Sequence, residues 1–169
     1  MKAFSRSRPW TGESQALWPA NDALCSALQV INHLQDCAKD YANIDRVYLP
    51  EAELKRAGTG VEALAAARAS PELRAVISGL AGRTAELLDR SRPFAAGIRD
   101  GRLAYEVALI QRLAESLTDG LKTRDPLSER VHHRPWEVAG LAMLALIDRM
   151  TGRGRASAGG LARPARDAA

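Results

Sequence analysis

The stretch Gln29-Val30-Ile31-Asn32-His33-Leu34-Gln35-Asp36-Cys37-Ala38-Lys39-Asp40-Tyr41, continued after one residue by Asn43-Ile44-Asp45-Arg46-Val47-Tyr48-Leu49-Pro50, decides how this chain folds. Wound as an α-helix at about 100° per residue, it sets Leu24, Ala27, Leu28, Ile31, Leu34 and Ala38 on one side, the stripe that an amphipathic helix buries. Gln29, Asn32, Asp36 and Asp40 fall on the other side, within an arc of roughly 80°. The spacing of Asn32, Asp36 and Asp40 is i, i+4, i+8, which stacks their side chains turn upon turn. Two carboxylates one turn apart repel each other unless a cation sits near them. Such a pair is half of a site for a hard divalent ion such as Mg²⁺, which takes oxygen ligands and is commonly held by one or two carboxylates plus substrate phosphates. The ordinary alternative for the same residues is a polar face that simply meets water.

Outward from this helix, the remaining punctuation is also helical. Asn21 or Asp22 is placed to cap the first helix. That helix is expected to run to Asp40–Tyr41, with a turn over 42–50 ending at Pro50. Glu51–Arg56 makes one or two turns, stopped by Gly58 and Gly60. Val61–Arg68 is a short alanine-rich piece. Ser70-Pro71-Glu72 is a start signal: a capping hydroxyl, a proline in the first turn and an acid at the positive end of the helix. Leu73, Val76, Ile77, Leu80, Thr84, Leu87 and Leu88 repeat behind it. Pro93 opens another short segment. Arg102–Lys122 carries the stripe Leu103, Val107, Ile110, Leu113, Ala114, Leu117 and Leu121. A polar connection from Pro126 to Arg134 precedes a last helix, Trp136–Met150.

Composition agrees. Ala, Leu and Arg dominate, and β-branched and aromatic residues are scarce, which favours helix over strand. The net charge of +4 belongs to the ends. Residues 1–20 carry Lys2, Arg6 and Arg8 against Glu13. Residues 151–169 carry Arg153, Arg155, Arg163 and Arg166 against Asp167, and the body between is slightly acidic. The basic residues sit in two short ends rather than on one continuous patch, which argues against a nucleic-acid partner. Cys25 and Cys37 would lie roughly 18 Å apart along one helix, beyond disulfide reach. With no apolar leader in Met1–Trp10 and no apolar run long enough to span a bilayer, the chain reads as cytoplasmic. The last helix has an apolar face with arginines beside it, so peripheral contact with the inner face of a membrane stays open beside plain core packing. The organisation expected is an irregular segment over 1–20, a helical region over 21–150 and a disordered basic tail over 151–169.

The string Gln29-x-x-Asn32-x-x-x-Asp36-x-x-x-Asp40, closed by Asp45-Arg46-x-Tyr48-Leu49-Pro50, resembles the second aspartate-rich motif of the squalene/phytoene synthase family. Its wording is most similar to the bacterial hopanoid-pathway squalene (hydroxysqualene) synthase branch. Arg124-Asp125-Pro126-Leu127-Ser128-Glu129-Arg130-Val131 resembles that family's C-terminal region. The resemblance implies an all-α, isoprenoid synthase-type helical bundle and prenyl diphosphate substrates: farnesyl diphosphate, or the presqualene diphosphate formed from it. It implies Mg²⁺ as cofactor, with Asp36 and Asp40 as metal ligands and Gln29, Asn32, Arg46 and Arg130 on the substrate. For Arg46 an ion pair with Asp45 or Glu51 is the competing role, and for Arg130, beside His132-His133, a solvated basic loop.

The family pattern pairs two aspartate-rich helices. Upstream of Gln29 the only acids are Glu13 and Asp22, and no paired-Asp helix is present. The expectation is therefore a truncated bundle whose first-motif half is absent. Such a chain would be a synthase fragment inactive on its own, completed by a missing N-terminal half or a second copy. The alternative is a non-catalytic helical remnant or partner subunit. No residue is assigned as a catalytic acid, base or nucleophile. Two smaller departures accompany this: Gln35 stands where many relatives have Arg, and Leu113 where carotenoid-type members often have Tyr.

Overall fold

A computed structural model describes residues 14–151, apart from the side chain of Arg149. A 3-10 turn, Gln15–Leu17, leads into α1 (Trp18–Gln35), α2 (Cys37–Ile44), α3 (Glu51–Arg56), a second 3-10 turn at Val61–Ala65, α4 (Pro71–Ser91), α5 (Pro93–Gly97), α6 (Gly101–Thr123) and α7 (Pro135–Thr151). Among the described residues there is no strand, so the fold class is all-α as the apolar spacing requires.

The start signal at residue 70 behaves as its chemistry dictates. The Ser70 hydroxyl accepts from Leu73 N–H at 3.2 Å, and Pro71 occupies the first turn, where its missing N–H costs nothing. Asp100 does the same for α6, accepting from Leu103 N–H at 2.8 Å.

Three expectations are corrected. The first helix begins at Trp18, ahead of Asn21 and Asp22, because Pro19 seats in its first turn and Ser14 caps the preceding 3-10 turn. The irregular segment expected over 1–20 thus gives way to helical structure before its end. Residues 1–13, like the tail expected beyond Thr151, lie outside the described residues. The single helix expected through Asp40 is interrupted at Asp36, whose φ of −100° and ψ of 5° depart from helical values. The interruption redirects the chain: α1 packs on α4 and α6, whereas α2 packs on the Val61–Ala65 turn. Finally, Val61–Arg68 reduces to that 3-10 turn.

The core is the mutual packing of α1, α4 and α6. From α1 it takes Leu24, Ala27, Ile31 and Leu34, with Leu28 left 36% exposed at the edge of the stripe. From α4 it takes Leu73, Val76, Ile77, Ala81 and Leu88, and from α6 Val107, Ala114 and Leu121. Each fully buried leucine or isoleucine contributes about 1.5–3 kcal/mol of transfer free energy. The α6 stripe is turned relative to expectation, so that Gln111 and Thr118 are buried while Ile110 is 39% exposed.

A polar chain makes that rotation tolerable. Gln111 accepts from the Ser91 hydroxyl at 2.6 Å and donates to the Leu88 carbonyl at 2.9 Å and to Glu115 at 3.0 Å. Arg92 closes the chain on Glu115 at 3.3 Å. Thr118 satisfies its hydroxyl on the Ala114 carbonyl one turn back, at 2.8 Å.

The last helix, α7, lies on α6 through buried Ala145, a Tyr105 hydroxyl bond to the Ala142 carbonyl at 3.2 Å and an Arg112–Asp148 ion pair. Its outer side exposes Trp136, Met143, Leu144, Leu146, Ile147 and Met150. No described helix is long and apolar enough to cross a membrane.

Candidate active site

The acidic face survives the interruption at Asp36. Asp36 N–H donates to the Asn32 carbonyl at 3.0 Å, and Asp40 N–H donates to the Asp36 carbonyl at 2.8 Å. These successive i to i+4 bonds keep Asn32, Asp36 and Asp40 one turn apart. Gln29 and Asn32 are exposed, and Asp36 and Asp40 are half-buried. Lys39 stands 3.9 Å from Asp36 with its side chain 69% exposed, too loose and too wet an ion pair to neutralise the face.

After α2 the chain reverses through Asp45, at φ 51° and ψ 45°, a left-handed conformation that aspartate tolerates better than most side chains. The reversal returns Arg46 to the end of the acidic strip, where its N–H donates to the Asp40 carbonyl at 3.2 Å. A hydrogen bond to Tyr48 first, and the Asp40 carboxylate after it, hold the Arg46 guanidinium firmly in its charged form. Neither of the ion partners weighed for it applies among the described residues. Glu51 pairs with Lys55 at 3.2 Å, and the interaction that Arg46 makes is with Tyr48. The Tyr48 ring stacks on His33 of α1, centroids 3.8 Å apart and planes 13° from parallel, and Leu49 enters the core at 3% exposure. The string Asp45–Pro50 is thus folded back onto the helix that carries the aspartates. Beside it, burial pushes the Cys37 thiol up to about 11, which keeps it protonated and inert at neutral pH.

A second segment reaches the same place from the far end of the sequence. Residues 124–134 leave α6 and are pinned at several points. The Gln35 side-chain amide donates to the Val131 carbonyl. Arg124 binds Glu129 at 2.8 Å and the Arg130 carbonyl at 2.9 Å. The Asp125 carboxylate accepts from Ala69 N–H, Leu127 N–H and the Ser128 hydroxyl, each at 3.0 Å. Burial alone would raise the Asp125 carboxyl. Those donors and the Arg74 charge outweigh it and hold the carboxyl below the usual aspartate value. The Arg130 and His132 side chains are exposed on this segment. His133 is half-buried with an unpartnered Nε2, and its imidazole is held down by burial first and by His132 after it, against the pull of Glu137.

The structure therefore keeps Asn32, Asp36 and Asp40 at successive turns and returns the Arg46 backbone to the Asp40 carbonyl. It ties the segment bearing Arg130 to Gln35, the residue just before Asp36. Gln29 lies on the same helix, ahead of Asn32. The Gln35–Val131 bond and the His33–Tyr48 stack escape a reading of the sequence, because each joins residues whose own spacing carries no signal. Among the described residues, no three His, Cys, Asp or Glu side chains gather closely enough to hold a metal by themselves. The donors present, two carboxylates and a nearby amide, are hard oxygen ligands of the kind Mg²⁺ takes when water and phosphate supply the rest. A shallow cleft of about 190 Å³ between Glu51, Leu54, Lys55, Gly60, Val61 and Glu62 includes none of them.

Comparison with known proteins gives this arrangement its context. The chain is 54% identical over 138 residues to the hydroxysqualene synthase of Zymomonas mobilis subsp. mobilis, covering 82% of this chain and 46% of that protein. It is 49% identical over 150 residues to the hydroxysqualene synthase of Rhodopseudomonas palustris, covering 86% and 51%. It is 33% identical over 126 residues to the phytoene synthase of Thermus thermophilus, covering 73% and 43%. The chain thus spans about half the length of the curated relatives it matches. No solved structure matches significantly. The squalene/phytoene synthase profile matches residues 3–137, a span that takes in both the Asn32–Asp40 strip and the segment pinned to it, and the chain belongs to that family.

Proposed function

We propose that this chain supplies the second aspartate-bearing helix of a hydroxysqualene synthase-type prenyltransferase acting on farnesyl diphosphate and presqualene diphosphate in triterpene precursor synthesis. The observation that carries the reading is the preserved one-turn spacing of Asn32, Asp36 and Asp40 with Arg46 returned to its end. Asp36 and Asp40 would hold Mg²⁺, and Asn32 and Gln29 would orient its water or phosphate ligands. When bound, Mg²⁺ supplies neutralisation of a departing diphosphate. The exposed guanidiniums of Arg46 and Arg130 recognise the same anion as permanent cations. The second reading, a non-catalytic helical partner, is supported by the absence of a third acidic donor at the strip among the described residues. The two readings meet in one arrangement: the remaining carboxylates come from another polypeptide segment.

The test is product formation from farnesyl diphosphate. The 169-residue chain is expected to bind Mg²⁺–farnesyl diphosphate weakly and turn over none. Turnover is expected once a polypeptide carrying the first aspartate motif is added, and it should be abolished by Asp36→Ala or Asp40→Ala with little change in thermal stability. Turnover that survives both substitutions would remove these aspartates from the mechanism.

The outer face of α7, with Arg134 5.2 Å over the Trp136 ring at its start and arginines in the sequence beyond it, is proposed as a peripheral contact with the cytoplasmic face of an anionic membrane.

A further inference from the structure

Gln35 has no part in the spacing pattern that singles out Asn32, Asp36 and Asp40, yet it occupies a singular place. It is the last residue of α1, directly before the interruption at Asp36. Its amide donates to the Val131 carbonyl, ninety-six positions away in the chain. Val131 is itself buried, at 3% exposure, and its Cγ1 seats so closely on Gly120 of α6 that a Cβ placed there would come within 3.1 Å of it. The preceding residue, Arg130, is exposed, and its carbonyl is held by Arg124 at 2.9 Å. The residue that follows Arg130 is thus held between Gly120 of α6 and the residue adjoining the first aspartate, and Arg124 ties the Arg130 carbonyl within the segment. We propose that Gln35 is a positioning residue that docks the 124–134 segment against the acidic strip, so that Arg130 and the Asp36/Asp40 pair address one diphosphate together. This deepens the prenyl diphosphate reading and rests on it.

The chemistry suits the task. A diphosphate bound through a metal presents further anionic oxygens beyond those facing the carboxylates. A cation held beside the carboxylates, but not paired with them, is placed to take these oxygens. Gln35 is neutral, so it bridges the two segments without consuming either charge. A carboxylate there would repel the Val131 carbonyl that the amide now binds.

The probes are Mn²⁺ as a paramagnetic stand-in for Mg²⁺ and inorganic pyrophosphate, read by NMR on the full chain. In the wild type, Mn²⁺ with pyrophosphate is expected to broaden the imidazole signals of both His33, on α1, and His132, on the pinned segment. In Gln35→Leu, which keeps the bulk but loses the donor, the His33 effect should persist and the His132 effect should fade. Pyrophosphate affinity in the presence of Mg²⁺ should drop by roughly tenfold, about the worth of one charge-assisted contact. The decisive comparison is with Arg130→Gln. If Gln35 acts through Arg130, Gln35→Leu costs nothing further in that background, whereas a merely structural role makes the two losses multiply. Gln35→Asn, with the same donor one methylene short, should fall between wild type and Gln35→Leu, and thermal midpoints within a few degrees of one another would confirm that all variants are folded. Equal broadening of His132 in wild type and Gln35→Leu, or multiplying losses, overturns the inference alone. Failure of the probes to perturb either histidine in the wild type overturns the diphosphate reading beneath it.

Discussion

Asp125 shows how much one side chain of the family-like Arg124–Val131 string does for structure alone. Its carboxylate takes donors from Ala69, Leu127 and Ser128, and so joins the entry to α4 to the segment that follows α6. Asp125→Ala leaves the Ala69 and Leu127 N–H groups without their acceptor, and a loss of about 1.5–3 kcal/mol is expected in urea unfolding. The sign with pH follows from the lowered carboxyl. Its contribution is complete above the ordinary aspartate value of 3.8 and is lost as pH falls through the lower folded value, because only the unfolded state binds the proton readily in that window. A wild-type stability curve should therefore steepen below that pH more than the Asp125→Asn curve does. At this scale the one-turn spacing of Asp36 and Asp40 is legible in the sequence, and the backbone bonds keep it. The roles of Gln35, Tyr48 and Asp125 are not, because each has a distant partner (Val131, His33 and Ala69 respectively) that only tertiary packing sets.

Helix starts are the most legible elements and helix interruptions the least. Ser70-Pro71 places the first turn of α4 unaided, because cap and proline both act locally. Ser70→Ala is expected to cost about 1 kcal/mol, read as a fall of several degrees in the melting midpoint. The interruption at Asp36 is silent in the sequence: apolar residues at helical spacing continue on both sides of it, and only the demand to bring α2 onto the Val61–Ala65 turn distinguishes them. The phase of α6 is hidden for a related reason. Ile110 and Gln111 are neighbours, and hydropathy favours burying Ile110, but Ser91, Leu88 and Glu115 together satisfy every polar atom of Gln111. For α7, the six large apolar side chains on its outer face give an expectation of their own. The chain should co-sediment with vesicles containing anionic lipid and far less with neutral ones. Met143→Glu with Ile147→Glu should abolish that while leaving the helical dichroism intact, because both residues sit on the outer face away from the core. Sedimentation unchanged by the double substitution would remove α7 from the contact.

At the scale of the molecule, three long helices share one core, and most of their surface stripes are leucine and alanine. Such stripes are nearly self-similar from one turn to the next, so apolar contact alone distinguishes poorly between neighbouring alignments of α4 and α6. The Ser91–Gln111 bond described above removes that degeneracy. Sliding α6 by one turn would set Val107 or Glu115 opposite Ser91 and the Leu88 carbonyl and leave buried polar atoms unanswered, at about 1–3 kcal/mol for each. The bond works as an address. Ser91→Ala with Gln111→Leu, which removes both sides at once, should leave the unfolding free energy nearly unchanged while multiplying the backbone amide resonances of α4 and α6 as alternative alignments become populated. What the pair contributes is the identity of one arrangement among near equals, and so the single orientation in which the acid-bearing helix and the Arg130 segment meet.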